Sequence, residues 1–319
     1  GLVGAALGWP ARADVATGAD WRVTFNRPDQ TTTPTSLGAH EFDVRDRFLE
    51  CLGELQAGDQ GYLATYTLSG SYAQNGAAGP LLAAISNALA RGAHLGFVAG
   101  NGVDLATNFW PGCSLESLAR RPGNALELSK APPTGIMHDK VGAFFYAATG
   151  ESRLLTASWN FTAAASSQQW NVLAELRNRE LALAYSNELR QMLAGYFHSH
   201  PAKPRVPHDG TAFRTAAGWT NGWVRFAPYP SNKAGGDNAQ MQITNRIGRA
   251  ARQIVFALNK QTRAAVTDQL IAACDRGVEV HGVIPRSDRA DPGGPSYEQY
   301  ARMLDPASYA GTNRIRLHE

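Results

Sequence analysis

The sequence is poor in the features that announce a specialised partner. Only three of its 319 residues are cysteine, and Cys51, Cys113 and Cys274 stand far apart, with no C-x-x-C pair and no histidine at zinc-ligand spacing. A structural zinc and a dithiol redox centre are thereby excluded, while one disulfide with a thiol to spare stays open. Charged residues make up 18% of the chain, form no long run of one sign and leave a net charge of +3. Dedicated nucleic-acid binders carry basic stripes or patches, so net charge gives that class no support. The one small basic cluster, Ala119 to Gly123, reads as a solvated turn. No stretch approaches the roughly 20 apolar residues of a membrane span. No G-x-G-x-x-G follows a first strand, which removes a dinucleotide-binding Rossmann domain.

What is present describes a folded protein of two lobes. The hydrophobic content is 44%, and the length suits two cores better than one. The opening GLVGAALGWPARA is an apolar, small-residue run followed by Ala11-Arg12-Ala13, which matches the end of a secretory signal. Residues 1–13 are therefore expected to be a signal remnant or a disordered N-terminus, and the protein to be secreted or periplasmic. Between His198 and Asp237, Pro201, Pro204, Pro207, Pro228 and Pro230 mark a connection between lobes. The first lobe is expected over 14–200, and the linker with the second lobe over 201–319.

The order of elements repeats across that connection. WRVTFNRP (21–28) and WVRFAPYP (223–230) each read as a short alternating strand closed by proline. VRDRFLECLGELQ and QITNRIGRAARQ have apolar residues at helical spacing, and lead into the strands YLATYTL and IVFAL. Then come PLLAAISNALARGAHLGFVAG and AAVTDQLIAACDRGVEVHGVIP, each a helix, an Arg-Gly stop and a buried strand. Strand, helix, strand with short turns implies crossover connections and a mixed or parallel sheet covered by helices. The expected fold is α/β, with two pseudo-symmetric lobes, each a mixed sheet flanked by helices.

One stretch carries chemistry. After His138-Asp139-Lys140, the segments VGAFFYAA and RLLTASWNF read as a hairpin about Thr149-Gly150-Glu151. His138 and Lys140 are two residues apart and share a strand face, as do Ser158 and Asn160 on the partner. An imidazole that attacks or protonates, an ammonium for phosphate oxygens, and hydroxyl and amide donors form a set suited to phosphoryl transfer without a metal or other cofactor. Trp159 alternates away from this face and reads as core.

These residues resemble the phospholipase D superfamily, whose signature is H-x-K-x(4)-D followed by G-S-x-N. His138 and Lys140 match the first part, and Ser158 and Asn160 within SWNFT the second. Ala165 and Asn171 fall in the segment that the family places next, so Asn171 joins Lys140 and Asn160 as an expected phosphate-side group. The resemblance is weak over the whole chain and specific over Gly135 to Asn171. Three positions depart from it: Phe145 stands where the family has its aspartate, Ala157 replaces the glycine, and Ser158 follows Lys140 by 18 residues, a longer hairpin than usual.

The resemblance implies a double displacement in which one histidine attacks phosphorus and a second, from another His-x-Lys, protonates the leaving alcohol. His138 is expected to be the nucleophile. The histidines at 40, 94, 198, 200, 208, 281 and 318 have no lysine two residues on, and the Arg91-to-Arg276 offset carries the second motif past residue 319. The second lobe is thus expected to be incomplete before its motif, which a C-terminal fragment or a second protomer would supply. The function implied is a phosphodiesterase that hydrolyses phospholipid head-group phosphodiesters through a phosphohistidine, touching a membrane surface only as substrate. Two alternatives stay open: a nuclease of the same superfamily, and a degenerate member that binds phosphate-bearing lipid without turnover.

Overall fold

The helical and strand periodicities of the sequence become alternating elements in the computed structural model, which describes residues 15–26, 42–70, 76–109, 112–133, 136–197, 211–213, 222–224, 226, 239–285 and 292–318. The expected signal remnant at 1–13 lies outside the described residues. The chain divides into two units, 1–224 and 225–319.

In the first unit the strands are β1 (Val15–Thr17), β2 (Trp21–Phe25), β3 (Gln60–Thr65), β4 (His94–Ala99), β5 (Ala125–Lys130), β6 (Lys140–Phe145), β7 (Ser152–Ala157) and β8 (Val172–Leu176). They form one mixed sheet in the order β1-β2-β8-β7-β6-β3-β4-β5. Strands β3, β4 and β5 run parallel, and the remaining neighbours are antiparallel. Parallel strands need crossovers, supplied by α2 (Ala78–Ala90) and α3 (Leu115–Arg120). Leu81, Leu82, Ile85 and Leu89 recur along α2 at helical spacing and are buried with Phe48 and Leu52 of α1 (Asp43–Glu54) against one face of the sheet. The other face is closed by α5 (Arg179–Leu193), whose Leu189 and Met192 pack on Tyr62, Ala64, Val98 and Val141. Strands covered on both faces must be apolar throughout, which is why GYLAT and LGFVA carry no alternation.

The second unit repeats the middle of the first. Strands β11 (Gln253–Ala257), β12 (Glu279–Val283) and β13 (Arg316–His318) pair in parallel in that order, with α6 (Ala239–Arg249), α7 (Ala264–Asp275) and α8 (Pro295–Leu304) between and before them. Leu270, Ile271, Cys274, Val280, Tyr300 and Met303 form its core. The Arg-Gly pair after α2 and α7 does the same work in both units. Gly92 and Gly277 are left-handed, with φ of 91° and 87°, the conformation that ends a helix at least cost in glycine. Arg91 donates to the carbonyls of Leu52 and Leu55 at the end of α1, and Arg276 to that of Ile247 at the end of α6.

Three expectations need adjustment. The described sheet of the second unit is wholly parallel rather than mixed, because its strands correspond to β3, β4 and β5 and the antiparallel members of the first sheet have no counterpart among the described residues. The Trp223 strand does not play the part of β2. Residues 222–224 (β10) pair antiparallel with 211–213 (β9) in a separate two-stranded sheet, whereas β2 is held by β8. That hairpin lies beside α5, so the boundary between units falls after residue 224 instead of at 200. All three cysteines are free thiols, each buried in a core, which disposes of the disulfide left open by the sequence. Of the segment Ala119–Gly123, expected as a solvated turn, Arg121 to Gly123 form the exposed turn, with Gly123 left-handed, whereas Ala119, half-buried, and Arg120, paired to Glu116, end α3. No helix among the described residues is long and apolar enough to cross a membrane.

Candidate active site

Register brings the residues singled out from sequence to one end of the first sheet. Thr65, the last residue of β3, pairs with Ala99 at the end of β4 and with Lys140 at the start of β6. Val141 pairs with Thr156, so the exit of β7 lies at the same end. The residues just beyond these ends are Tyr66, Gly100, His138, Ser158 and Asn160, with Asn171 immediately before β8. The turn at the far end of the hairpin spans Ala147 to Gly150, with Gly150 left-handed at φ of 70°.

His138 and Lys140 are held together. The His138 side chain is exposed while Lys140 is only 4% exposed, so the imidazole meets solvent beside a sequestered ammonium. Lys140 Nζ donates to the His138 carbonyl at 2.7 Å and lies 5.4 Å from the centre of the Tyr66 ring, within reach of a cation–π contact. The same ring stands 4.7 Å from the His138 ring at an angle of 54°. Burial pushes the Lys140 pKa down to about 8, against the opposing charge of Asp139. Although His138 reaches solvent, partial desolvation of its ring, helped by the Lys140 charge, also holds it below its ordinary value. The imidazole is therefore neutral at neutral pH, as a nucleophile must be.

Ser158 and Asn171 form a second group. Ser158 Oγ donates to Asn171 Oδ1 at 2.9 Å and accepts from the Val172 amide at 3.0 Å. Asn171 Nδ2 donates to the Ala165 carbonyl at 2.8 Å, and its backbone amide donates to Asn26 Oδ1. Asn26, fully buried, also donates to the carbonyls of Ala165, Ser166 and Gln169. The Ser158 hydrogen and the Asn171 amide are thus committed to the protein in this arrangement. Asn160 differs: its Oδ1 is buried with no hydrogen-bond partner among the described residues. Between them, Trp159 is fully buried against Phe48 and Phe161, with its indole N–H on Ser166, so it is core as its alternation implied.

Phe145, at the family's aspartate position, is the last residue of β6 and packs edge-on against Tyr62. It lies five strand positions from Lys140, roughly 17 Å, so this departure leaves the surroundings of His138 untouched. Among the described residues no three histidine, cysteine or carboxylate groups converge to hold a metal ion. Sequence reasoning passed over three contributors: Tyr66, read as strand interior in YLATYTL; Gly100, read as a strand end; and Asn26, whose place at the end of the first strand, two residues before Pro28, was its only signal.

No protein-family model and no curated protein sequence matches this chain. Its structure is similar to phosphatidylserine synthase from Haemophilus influenzae Rd KW20, with a TM-score of 0.54 and 11% identity over 87% of this chain and 73% of that one. Polyphosphate kinase from Porphyromonas gingivalis is matched at a TM-score of 0.48 with 14% identity over 83% of this chain, which spans only 37% of the kinase. Nuc from Salmonella typhimurium, a phospholipase D family member, is matched at 0.37 with 15% identity over 55% of this chain and 95% of Nuc. At such identities the likeness is one of fold, carried by the synthase. The expected fold, a mixed sheet flanked by helices, is thus shared with that synthase.

Proposed function

We propose that the protein is a phosphodiesterase of the phospholipase D type that hydrolyses the head-group phosphodiester of phospholipids. The observation that carries the reading is the exposed, neutral His138 held beside the buried Lys140 ammonium at the end of the parallel strands. In the first step an imidazole nitrogen of His138 forms a bond to phosphorus as the bond from phosphorus to the head-group oxygen breaks. The departing oxygen takes a proton from an acid that the reading assigns to a second His-x-Lys, on a further segment or a second protomer. In the second step water attacks the phosphohistidine, gives its proton to that same acid's conjugate base and releases phosphatidate and free His138. Splitting the displacement avoids direct attack of water on an anionic diester. Lys140 lies where it can offset charge on the phosphoryl oxygens, and the reading assigns the side-chain N–H groups of Asn160 to the same oxygens.

A lipid substrate is favoured over nucleic acid by the small net charge of +3, since nuclease affinity comes largely from basic phosphate contacts. The likeness to a phosphatidylserine synthase supports the same choice. An exported location belongs to this reading and rests on residues 1–13 alone. The test is head-group release from phosphatidylcholine vesicles, with His138→Ala as control and a single-stranded oligonucleotide in parallel. Release by the wild type alone supports the proposal. Strand cleavage without head-group release replaces it with a nuclease, and vesicle binding without turnover replaces it with a lipid-binding protein.

A further inference from the structure

We infer that Tyr66 is a positioning residue whose ring holds the His138 imidazole and the Lys140 ammonium in their mutual arrangement. The inference rests on the reading of His138 and Lys140 as the working pair. Tyr66 is the first residue past β3, and β3 ends on the residue that pairs with Lys140. The backbone therefore delivers the phenol ring to the start of β6. Its ring contacts among the described residues are with His138, at 4.7 Å between centres, and with Lys140 Nζ at 5.4 Å. The Lys140 Nζ bond to the His138 carbonyl closes the set into a loop of three residues. A ring present only to fill space would belong to a hydrophobic cluster, and Tyr66 belongs to neither cluster of this unit.

The neighbouring strand is cut to fit this placement. Gly100 follows β4, and its amide donates to the Thr65 carbonyl at 2.9 Å. A Cβ at Gly100 would stand 2.1 Å from the Tyr66 carbonyl oxygen, 3.0 Å from its carbonyl carbon and 3.1 Å from its Cα. These are backbone atoms that cannot turn aside as a flexible side chain can. Glycine at 100 is thus what lets the Tyr66 backbone come close enough for its ring to reach His138. A positioned ring matters because a displacement of about 1 Å at a reacting group can cost about 100-fold in rate.

The experiment compares Tyr66→Phe, which keeps the ring, with Tyr66→Leu, which removes it. One readout is the carbon-bound imidazole proton resonance of His138, assigned with His138→Gln, which senses the ring current of an aromatic at this distance. The other is turnover of bis(p-nitrophenyl) phosphate. The phenylalanine variant should leave the resonance in place and kcat within about twofold. The leucine variant should shift the resonance and lower kcat about 10- to 100-fold, with KM changed less than about threefold. If the leucine variant does not fold, Tyr66→Met, of similar bulk without a ring, takes its place. An unmoved resonance in the ringless variant overturns the inference, as does loss of kcat in Tyr66→Phe equal to that in Tyr66→Leu. Should the wild type hydrolyse no diester, the phosphodiesterase reading fails by itself, and the resonance still decides the role of Tyr66.

Discussion

Gly100→Ala adds a single methyl group, and the structure says where the methyl must push. The new Cβ would sit 2.1 Å from the Tyr66 carbonyl oxygen, whereas ordinary contact begins at 3.4 Å, so that oxygen must retreat by about 1.3 Å. Its surroundings leave few ways to do so. Thr65 is fixed on both sides by pairing to Ala99 and Lys140. Beyond Tyr66, Leu68 bridges to Phe161 and the Ser69 amide donates to the Phe161 carbonyl. The displacement is confined to residues 66 and 67, and the Tyr66 ring moves with it. Overpacking of this kind costs about 1–3 kcal/mol of stability, and a shift of about 1 Å at the reacting pair corresponds to a rate loss of about 100-fold. Turnover and thermal unfolding of Gly100→Ala are the measurements, repeated in the Tyr66→Leu background. With no ring left to displace, the alanine should cost less than about twofold further in rate, so the two losses should not multiply. A single variant with more than half of the wild-type rate, or losses that multiply fully, would refute the reasoning.

Two further outcomes follow from charge. On the proposed role of His138 as nucleophile it must be neutral, and burial and Lys140 hold it below its ordinary value of 6.5, so kcat/KM should rise with pH through a midpoint below 6.5. It should then fall near pH 8 as Lys140, lowered to about 8 by burial, loses its proton. Lys140→Arg, which stays charged, should abolish the alkaline fall at the expense of the maximum, and a wild-type profile flat from pH 7 to 10 would count against Lys140 as the phosphate cation. The second outcome concerns Glu175, only 1% exposed, which accepts from Arg47 Nε and Nη2 at 2.7 Å each. Burial raises its pKa, but the Arg47 hydrogen bonds and the charges of Arg47, Arg153 and Arg177 outweigh it and hold the carboxyl below its ordinary value of 4.5. Its stabilisation is therefore present above pH 4.5 and lost as pH falls through the lowered value. Glu175→Gln should destabilise the first unit by about 3–5 kcal/mol at neutral pH, read by urea unfolding, and the deficit should shrink in acid. A loss below about 1 kcal/mol would mean that Glu50, Glu54 and Glu151 alone suffice for these arginines.

The repeat was legible in the sequence because its punctuation is backbone chemistry. An Arg-Gly pair that ends a helix and caps the preceding one needs a guanidinium at one position and a left-handed residue at the next, and both Arg91-Gly92 and Arg276-Gly277 meet that need. The opening strands were a weaker guide. Trp21–Pro28 and Trp223–Pro230 share an alternation and a terminal proline, but alternation states only that a strand has two unlike faces. Its partner is set by what is nearby, β8 in one case and β9 in the other. The domain boundary shifted for the same reason, since a proline-rich composition marks a connection without saying which side its hairpin packs on.

At the candidate site the register of the hairpin puts His138, Lys140, Ser158 and Asn160 at one end, but only Lys140 lies within a strand, so the alternation that paired these residues by face does not govern the other three. What it could not give is which polar groups stay available once the chain closes. Ser158 and Asn160 look equivalent two residues apart, yet the first spends its hydrogen on Asn171 while the second keeps a buried Oδ1 without a partner among the described residues. The difference originates 132 residues before Ser158, at Asn26, whose amide holds the carbonyls of Ala165, Ser166 and Gln169 and so fixes where Asn171 points. Tyr66 was hidden for the opposite reason: in YLATYTL it continues an apolar run, and only the end of β3 at Thr65 turns it from a strand residue into the ring beside His138. A motif names the groups that can react, and the loops between distant strands decide which of them remain free to do so.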